Sequence, residues 1–538
     1  MDQYDYIIVG GGSAGCVIAN RLTESGRRSV LLLEAGPSDR SFWIQVPIGY
    51  GKTFYDRRVN WMYQSEPSPG LGGRITYCPR GKVLGGSSSI NAMVYARGQA
   101  GDFDDWVAMG NPGWGWKAVL PIYKRMEDHD LGAGPSHGSG GPLRVTDISA
   151  VAHPLCHVFV KAGQEAGLDV NPDLNGDTIE GVGLYQINTR NGFRMSAARA
   201  YLWPARRRPN LRVVTKALAT GILLEGTRAI GVAYRWSGRN VVARAGREVI
   251  LAAGAINSPQ LLQLSGIGPA DVLRAAGVEI RHESPAVGRH LQDHLCFDHV
   301  YRSAQRSLNN ELFPWPGKLR AGLQYLLMRT GPLSLSINQG GGFFRSRPEL
   351  DRPNIQLYFS PLTYERTPPG IRPLMSPDPF PGFSMSASPC RPTSRGYVKI
   401  ASSDPARPPL IYPNAMSTDH DVGELLTGAR FLRRVAATPA LSSVIAAELK
   451  PGPAVQSDDE LVADIRERAY SVFHPVGTCR MGPEPADAVV DHRLRVHGLA
   501  GLRVIDASIF PTVTSGNTNA PAIMVGEKGA DLVREDSP

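Results

Sequence analysis

The stretch Asp5-Tyr-Ile-Ile-Val-Gly10-Gly-Gly-Ser-Ala-Gly15-Cys-Val-Ile-Ala-Asn-Arg-Leu22 decides the fold of this chain. Residues 5–9 form a short apolar run that predicts a buried strand, and residues 16–22 carry apolar side chains at helical spacing. A second apolar run at 29–33 ends at Glu34. Strand, helix and strand in this order predict a β-α-β unit whose first turn is built from glycines.

The glycine-rich turn matches the G-x-G-x-x-G fingerprint of a dinucleotide-binding site, because it follows a strand and opens a helix. An acidic residue comes nineteen positions after the last glycine, where such sites place the group that accepts from the ribose hydroxyls. Glycines let the backbone approach a pyrophosphate, and the helix N-terminus stabilises its charge. The predicted nucleotide-binding residues are Gly10, Gly12, Ser13, Ala14, Gly15 and Glu34.

The same turn also satisfies G-x-S-x-G, the nucleophile elbow of α/β-hydrolases. An elbow at Ser13 would leave no earlier strands to build the sheet of such an enzyme or its oxyanion loop. Glu34 would also have no role. Position in the chain therefore favours the nucleotide site over the hydrolase.

Two segments near the other end of the chain carry polar groups suited to chemistry: Tyr470-Ser-Val-Phe-His474-Pro-Val-Gly-Thr-Cys-Arg-Met-Gly482 and Ser515-Gly-Asn517-Thr-Asn-Ala520. Removal of hydride from an alcohol requires an electron acceptor, a base and a polar group that holds the oxygen. His474 could instead be a satisfied buried histidine, and Asn517 could cap the helix predicted from residue 522. If His474 is the base and must be neutral, the rate should rise with pH near or above roughly 6.5.

Composition narrows the class of protein. The 538 residues carry a net charge of +9 at pH 7; this charge is spread along the chain and predicts no nucleic-acid partner. No apolar stretch reaches about 18 residues, so no spanning helix is predicted. The first residues lack a basic region, and a strand begins by residue 5. We expect a cytoplasmic protein, with peripheral contact to the inner membrane through a surface loop and the oligomeric state left open.

The cysteines and histidines predict no metal site and no disulfide framework. The six cysteines are scattered without C-x-x-C spacing, which suits a reducing compartment. His290-Leu-Gln-Asp293-His294 has ligand types at turn spacing, but no third cluster supports a metal.

The pattern along the chain predicts two interleaved domains of mixed α/β class. Alternation at 211–245 and an apolar run at 248–253 predict strands of the nucleotide-binding domain, whereas 355–359 and 396–400 predict half-buried strands of a second domain. Helical spacing is found at 422–436, 458–468 and 522–532. The predicted division assigns 1–150, 201–300 and 476–538 to the nucleotide-binding domain, and 151–200 and 301–475 to a substrate domain.

Two long motifs resemble the signatures of the glucose-methanol-choline (GMC) oxidoreductases. The first is Arg80-Gly-Lys-Val-Leu-Gly85-Gly-Ser-Ser-Ser-Ile-Asn91, and the second is Gly254-Ala-Ile-Asn-Ser258-Pro259-Gln-Leu-Leu-Gln-Leu-Ser265-Gly266-Ile-Gly268. Within the family, the chain resembles bacterial choline-dehydrogenase-like alcohol dehydrogenases in particular, which share Gly-Ser-Ser-Ser-Ile-Asn-Ala and His-Pro-Val-Gly-Thr-Cys-Arg-Met-Gly. The resemblance implies a Rossmann-like FAD-binding domain interleaved with a substrate domain, whose mostly antiparallel sheet is flanked by helices and lies over the flavin.

The resemblance also implies where FAD binds. It places Gly85, Asn91, Ala92 and Val94 beside the flavin, the backbone at Ala219 near the adenine, and Asp506 and Ala507 near the ribityl–pyrophosphate end. Relatives with a covalently attached flavin carry a histidine where this chain has Ile90. Non-covalent FAD is therefore expected.

The expected function is FAD-dependent oxidation of a primary alcohol to an aldehyde, with electrons passed to a quinone-like acceptor. By resemblance, His474 is the base and Asn517 its partner. Phe473 is the expected substrate-facing ring because it is next to the base in the sequence. Three alternatives remain open: an oxygen-using alcohol oxidase of the same family, an FAD-containing hydroxynitrile lyase, and a flavoprotein without catalytic activity.

Overall fold

The predicted β-α-β unit forms as strand Gln3–Val9, helix Ser13–Thr23 and strand Val30–Glu34. The two strands are parallel neighbours in a computed structural model that describes residues 3–365 and 376–536. Gly10 joins strand to helix with a backbone φ of +104°, and a Cβ atom there would lie 2.5 Å from the Ala252 carbonyl oxygen. Only glycine fits this turn, because both the left-handed conformation and the close backbone contact exclude a side chain.

A first seven-stranded sheet is built around this unit. Six strands follow one another in the order Leu211–Thr215, Val30–Glu34, Gln3–Val9, Arg239–Leu251, Arg228–Trp236 and Ala217–Glu225, and the seventh, Leu502–Val504, pairs with the end of Arg239–Leu251. The pairings with Val30–Glu34, Gln3–Val9 and Leu502–Val504 are parallel. Because parallel strands end at one edge of a sheet, the segments after Val9, Glu34, Leu251 and Val504 meet there.

A second seven-stranded sheet is antiparallel throughout. Its strands follow the order Ile445–Lys450, Leu295–Ser303, Gly382–Pro389, Ile355–Ser360, Gly340–Phe344 and Gly181–Leu184, and Tyr470–Ser471 also pairs with Leu295–Ser303. Helices Pro154–Glu165 and Asp419–Ala436 pack against one face. The predicted fold class, with its two kinds of sheet, is confirmed.

The strand Ile355–Ser360 differs from its prediction as a half-buried strand, because all six residues are buried. Ile355, Leu357 and Phe359 join the core under the helices, whereas Tyr358 lies on the opposite side and lines a cavity. Both faces of the sheet are therefore covered, and period-two alternation could not reveal the cover on the second face.

The longer helices are Ser13–Thr23, Ala100–Ala108, Trp116–Met126, Pro154–Glu165, Gly254–Leu264, Trp315–Met328, Asp419–Ala436, Asp458–Arg468 and Asn519–Asp536. Four of them, Ser13–Thr23, Asp419–Ala436, Asp458–Arg468 and Asn519–Asp536, correspond to helices predicted from spacing, and the other five were not predicted. The last helix begins three residues before the predicted start at 522. Over residues 3–365 and 376–536, none of the helices has the length and apolar character needed to cross a bilayer.

The two sheets draw their strands from alternating parts of the chain, as interleaved domains would. The division of the chain into domains after residues 150, 200, 300 and 475 remains a proposal. Strand Leu295–Ser303 belongs to the second sheet and crosses the proposed boundary at 300.

Candidate active site

One cavity lies between the carboxyl edge of the first sheet and the second sheet, with a volume of about 340 Å³. Most of the residues singled out from sequence line it. These are Gly10, Gly12, Ser13, Ala14, Glu34, Asn91, Ala92, Val94, Ala219, Phe473, His474, Asp506, Ala507 and Asn517. Segments from both ends of the chain thus meet around one space.

The turn before helix Ser13–Thr23 leaves room for a phosphate group. A Cβ atom built on Gly12 meets only the Ala252 carbonyl oxygen, at 3.7 Å, so the space above this residue is open to the cavity. The helix begins at Ser13 with no side-chain cap, and its first backbone N–H groups need acceptors. A pyrophosphate supplies such acceptors and favours the positive end of a helix. The site therefore fits the dinucleotide part of FAD.

Glu34 ends the second strand and closes the same turn. Its Oε2 accepts from the Gly11 N–H at 2.9 Å, and its Oε1 accepts from the Gly36 N–H at 2.7 Å. Burial raises the pKa of this carboxyl to about 7, although the two backbone donors oppose the shift. Each carboxylate oxygen can accept more than one hydrogen bond, so Glu34 remains able to bind ribose hydroxyls.

Two predicted residues shape the cavity without lining it. A Cβ atom on Gly15 would lie 1.9 Å from the Gly10 carbonyl oxygen, so this glycine allows the helix to pack on the turn. Gly85 has a φ of +87°, and its N–H donates to the Gly11 carbonyl oxygen at 2.7 Å. It therefore joins the first family-like motif to the glycine turn.

Arg194 positions Asn91 and was not found by sequence reasoning. Its guanidinium donates to the Asn91 backbone oxygen at 2.7 Å and to its side-chain oxygen at 2.8 Å. Further donors reach the carbonyl oxygens of Ile44 and Pro47. Burial lowers the pKa of this arginine to about 9. No sequence spacing links positions 91 and 194, so only the folded chain reveals the pair.

Asp506 connects the last strand of the first sheet to the second family-like motif. Its Oδ2 accepts from the Gly254 N–H at 2.9 Å and from the Ser258 hydroxyl at 2.6 Å. Burial raises the pKa of this carboxyl above its ordinary value. The aspartate holds the loop that brings Ala507 to the cavity.

His474 lies in a loop that polar contacts hold in place. Its backbone N–H donates to Asp293 Oδ1 at 2.7 Å. The preceding residue, Phe473, has a φ of +70°, and its carbonyl oxygen accepts from the Arg80 guanidinium at 2.6 Å. A non-glycine residue in the left-handed region is uncommon, so these contacts hold a loop conformation that turns the histidine into the cavity.

A chain of hydrogen bonds sets the protonation of the His474 ring. The Cys390 carbonyl oxygen lies 2.9 Å from Nε2 of His294, and because a carbonyl only accepts, this nitrogen carries the proton. Burial lowers the pKa of His294 to about 4, so its ring is neutral and its Nδ1 can only accept. His474 Nδ1, 3.0 Å away, therefore donates to it.

The unprotonated nitrogen of His474 consequently faces the cavity. Burial, together with the nearby His294 ring and the Arg80 guanidinium, holds the pKa of His474 well below its ordinary value. The neutral ring carries its one proton on Nδ1, and its Nε2 is left with a lone pair. This is the arrangement that a general base requires.

A second chain of hydrogen bonds sets the orientation of Asn517. The Tyr185 hydroxyl donates to the Leu357 carbonyl oxygen at 2.6 Å and accepts from Gln356 Nε2 at 3.0 Å. The same nitrogen lies 3.4 Å from Asn517 Oδ1. The amide group of Asn517 therefore directs Nδ2 toward His474 Nε2, at 3.1 Å.

His294, Gln356 and Tyr185 were missed as members of the site. The spacing of His290 and His294 instead raised the alternative of metal ligands. Across the described ranges, no group of three or more His, Cys, Asp or Glu side chains is arranged to hold a metal ion. The His294 ring contacts the His474 ring edge-to-face at 5.3 Å. A histidine 180 positions before a candidate base carries no local signal of such contact.

Several aromatic rings line the cavity that His474 also lines. The ring of Phe473 lies 5.4 Å from that of Phe54, and Tyr50, Tyr358 and Tyr364 are among the other lining residues. Among the described lining residues, the only carboxylates are Glu34 and Asp506, both of which belong to the nucleotide end. An uncharged, partly apolar ligand suits these walls.

A dinucleotide-binding sheet joined to an antiparallel sheet, with a histidine and an amide at their junction, defines a flavoprotein oxidoreductase of two interleaved domains. Comparison with family models identifies the family of this oxidoreductase. Residues 4–296 and 392–526 match the two family models described as GMC oxidoreductase. The chain belongs to the GMC oxidoreductase family, and it is an FAD-dependent enzyme that acts on CH–OH donors.

Relatives of known activity align over nearly the whole chain. An alcohol dehydrogenase [acceptor] from Pseudomonas putida is 42% identical over 99% of this chain and 96% of its own length. An oxygen-dependent choline dehydrogenase from Serratia proteamaculans is 43% identical over 100% of this chain and 96% of its own length. Among solved structures, pyridoxine 4-oxidase from Mesorbium loti superposes with a TM-score of 0.88 at 32% identity, covering 99% of both chains.

The lowered pKa of His474 predicts how the reaction rate depends on pH. Because the ring stays neutral at pH values well below its ordinary pKa, the limiting rate of alcohol-dependent flavin bleaching should be constant between roughly pH 6.5 and 8.5. It should fall only at more acidic pH, below the range that sequence alone suggested. Stopped-flow absorbance checks this, with flavin retention at each pH as the control. A midpoint above pH 7 would contradict the burial of the base.

Proposed function

We propose that this enzyme oxidises an uncharged primary alcohol to an aldehyde, with His474 as the base and Asn517 as the group that holds the oxygen. One observation carries the proposal: His474 Nε2 accepts from Asn517 Nδ2 at 3.1 Å on the wall of the cavity. A substrate hydroxyl that replaces this direct hydrogen bond can donate its proton to the histidine and accept from the amide.

His474 is suited to removing the hydroxyl proton. Its acceptor nitrogen faces the substrate space, and its other nitrogen keeps its proton through the His294 contact. As the proton moves to Nε2, the resulting imidazolium is stabilised by donating from Nδ1 to neutral His294. Positioned general bases of this kind contribute about 10²–10⁴-fold to rate.

Asn517 is suited to stabilising the negative charge that develops on the substrate oxygen. Gln356 orients the amide through its contact to Asn517 Oδ1, so the N–H donor is already on the cavity side when the charge appears. A hydrogen bond to a charged acceptor is roughly twice as strong as one to a neutral acceptor. The amide therefore favours the alkoxide-like state over the bound alcohol.

FAD, when bound, supplies the acceptor for the hydride that leaves the alcohol carbon. We propose that Gly10, Gly12, Ser13, Ala14 and Glu34 hold its dinucleotide part. The other proposed contacts are Gly85, Asn91, Ala92, Val94, Ala219, Asp506 and Ala507, with Gly15 shaping the turn beneath. Ile90 lines the cavity in an apolar cluster with Ile44, Val59 and Val83 and has no atom able to form a flavin linkage, which supports non-covalent binding.

The aromatic lining supports an alcohol with an apolar body, with Phe473 as a substrate-facing ring. The two curated relatives differ in the acceptor that their names give, one being an alcohol dehydrogenase [acceptor] and the other oxygen-dependent. We propose a quinone-like acceptor, with oxygen as the alternative, and a cytoplasmic protein with peripheral contact to the inner membrane.

Anaerobic mixing with a series of alcohols tests the proposed reaction. Primary alcohols with an apolar body should bleach the flavin absorbance. Admission of oxygen or of a quinone analogue then distinguishes the two acceptors. Failure of every alcohol to bleach the flavin would contradict the proposal.

Denaturation tests how FAD is attached. Because Ile90 provides no linkage, precipitation of the purified protein with acid should release all of its FAD into the supernatant. Absorbance and mass spectrometry of the two fractions measure this. Yellow colour or a flavin mass adduct retained by the chain would show a covalent bond elsewhere.

Replacement of the base should separate chemistry from cofactor binding. We expect His474→Ala to lower the limiting rate of flavin bleaching by about 10²–10⁴-fold while FAD stays bound. His290→Ala is the matched control, because His290 lies in a similar loop but does not line the cavity. Equal rates for His474→Ala and the unaltered enzyme would assign proton removal to another group.

Replacement of the amide should affect the reaction more than binding. We expect Asn517→Ala to cost about 2–4 kcal/mol in the reduction step, comparable with the loss of one oxyanion donor. Asn517→His should retain part of the activity, because an imidazole can also donate. Rapid-reaction titrations give the rate and the dissociation constant separately. A variant altered only in its dissociation constant would make Asn517 a binding residue.

A further inference from the structure

Helix Trp315–Met328 presents an unusual number of large apolar side chains to solvent. Its most exposed members are Leu327 at 81%, Trp315 at 70% and Met328 at 67%. We call this the surface helix, and its exposed apolar residues are Trp315, Leu319, Leu323, Leu326, Leu327 and Met328. Single exposed leucines are ordinary, but a contiguous apolar patch marks a contact site.

The spacing of four of these residues places them in one stripe. Trp315, Leu319, Leu323 and Leu326 follow at intervals of four, four and three, which places them on one helix face. The buried residues Ala321 and Tyr325 lie on another face and join a cluster with Ile48, Val46 and Tyr50. The helix is thus anchored by one face and turns a second apolar face outward, contrary to the usual pattern of a surface helix.

The charges around the stripe favour a negatively charged partner. Residues 304–331 contain four basic side chains and one acidic side chain, Glu311. Lys318 and Arg320 are exposed on the surface helix, whereas Arg329 lies over the ring of Phe193 at 4.8 Å. Exposed leucines, a tryptophan and flanking basic groups are the composition of helices that lie in a membrane interface.

A second exposed apolar pair lies close to the end of this helix. Phe42 and Trp43 are 50% and 42% exposed. Arg199 donates to Gln45 at 2.6 Å and lies over Phe193, the ring that Arg329 also covers. The two apolar segments therefore flank the same aromatic residue.

The surface helix is also adjacent to the active-site cavity. Tyr50 packs with the buried face of the helix and lines the cavity. Its hydroxyl accepts from the Ile337 N–H at 3.4 Å, and Ile337 lines the cavity as well. One layer of side chains thus separates the helix from the substrate space.

We propose that the surface helix docks this protein on a bilayer containing anionic phospholipid. Its leucines and Trp315 enter the interface, and Lys318 and Arg320 contact the lipid phosphates. The docked position brings the cavity wall next to the membrane, where a lipid-soluble quinone is concentrated. The docking surface deepens the proposed peripheral contact to the membrane, and the quinone consequence also rests on the proposed alcohol oxidation.

Vesicle sedimentation tests docking with the FAD-loaded protein and without turnover. The protein should sediment with vesicles of phosphatidylglycerol and phosphatidylcholine, and less with phosphatidylcholine alone or at high salt. We expect Leu326→Glu to lower the partition coefficient about ten-fold or more, because a charge replaces buried apolar surface. Leu131→Glu is the matched control, since Leu131 and Leu326 are 52% and 53% exposed. Flavin absorbance and circular dichroism confirm that each variant is folded.

Each outcome of these measurements either supports or overturns the proposed docking. Loss of sedimentation in Leu326→Glu but not in Leu131→Glu supports the proposal, and weaker binding of Lys318→Gln/Arg320→Gln to the anionic vesicles supports its electrostatic part. Absence of sedimentation, or equal sedimentation of all variants, would overturn it. A dimer that Leu326→Glu dissociates in sedimentation velocity, without vesicle binding, would instead assign this face to a second copy of the chain. Failure of the proposed alcohol oxidation would leave these results unchanged.

Discussion

The hydrogen bond between the His294 ring and the Cys390 carbonyl is the constraint on which the candidate active site depends. A neutral histidine has one acidic and one basic nitrogen, and either tautomer is accessible in water. Here a carbonyl oxygen, which has no proton to give, sets the tautomer of His294, and His294 in turn sets that of His474. Burial keeps both rings neutral. The basic nitrogen of His474 is thereby directed at the substrate space before any ligand arrives.

The fold makes this arrangement possible by bringing distant segments to one place. The parallel strands of the first sheet end at a common edge, which gathers the glycine turn, Glu34 and Asp506 around the nucleotide end of the cavity. The second sheet supplies the polar anchors, because the Leu357 carbonyl lies within its strand Ile355–Ser360 and Cys390 directly follows Gly382–Pro389. Helices cover the opposite face of that sheet, so the anchors are held in a rigid and dry environment.

Local pattern was sufficient for the first β-α-β unit and insufficient for the polar network. The apolar runs at 5–9 and 29–33, the glycine turn and Glu34 were predicted from periodicity and spacing, because each signal lies within a few residues. The strand predicted at 355–359 was expected to have one solvent-exposed face, since tertiary cover leaves no mark in the alternation. Gln356, Arg194 and His294 were missed because their partners lie far away in sequence.

His474 and Asn517 were singled out largely by resemblance to a family, and their catalytic roles remain proposals. The outward apolar stripe of the surface helix likewise needs the fold, because spacing alone cannot tell which face is buried.

Nitrogen-15 NMR of the FAD-loaded protein with labelled histidine tests the central claim most directly, with His474→Gln and His294→Gln variants assigning the signals. At neutral pH, we predict that His474 Nδ1 carries the proton and that its Nε2 shows the shift of an unprotonated ring nitrogen. His294 should show the opposite tautomer, with the proton on Nε2. A protonated Nε2 on His474, or averaging between its two tautomers, would contradict the proposed control of the base by His294 and the Cys390 carbonyl.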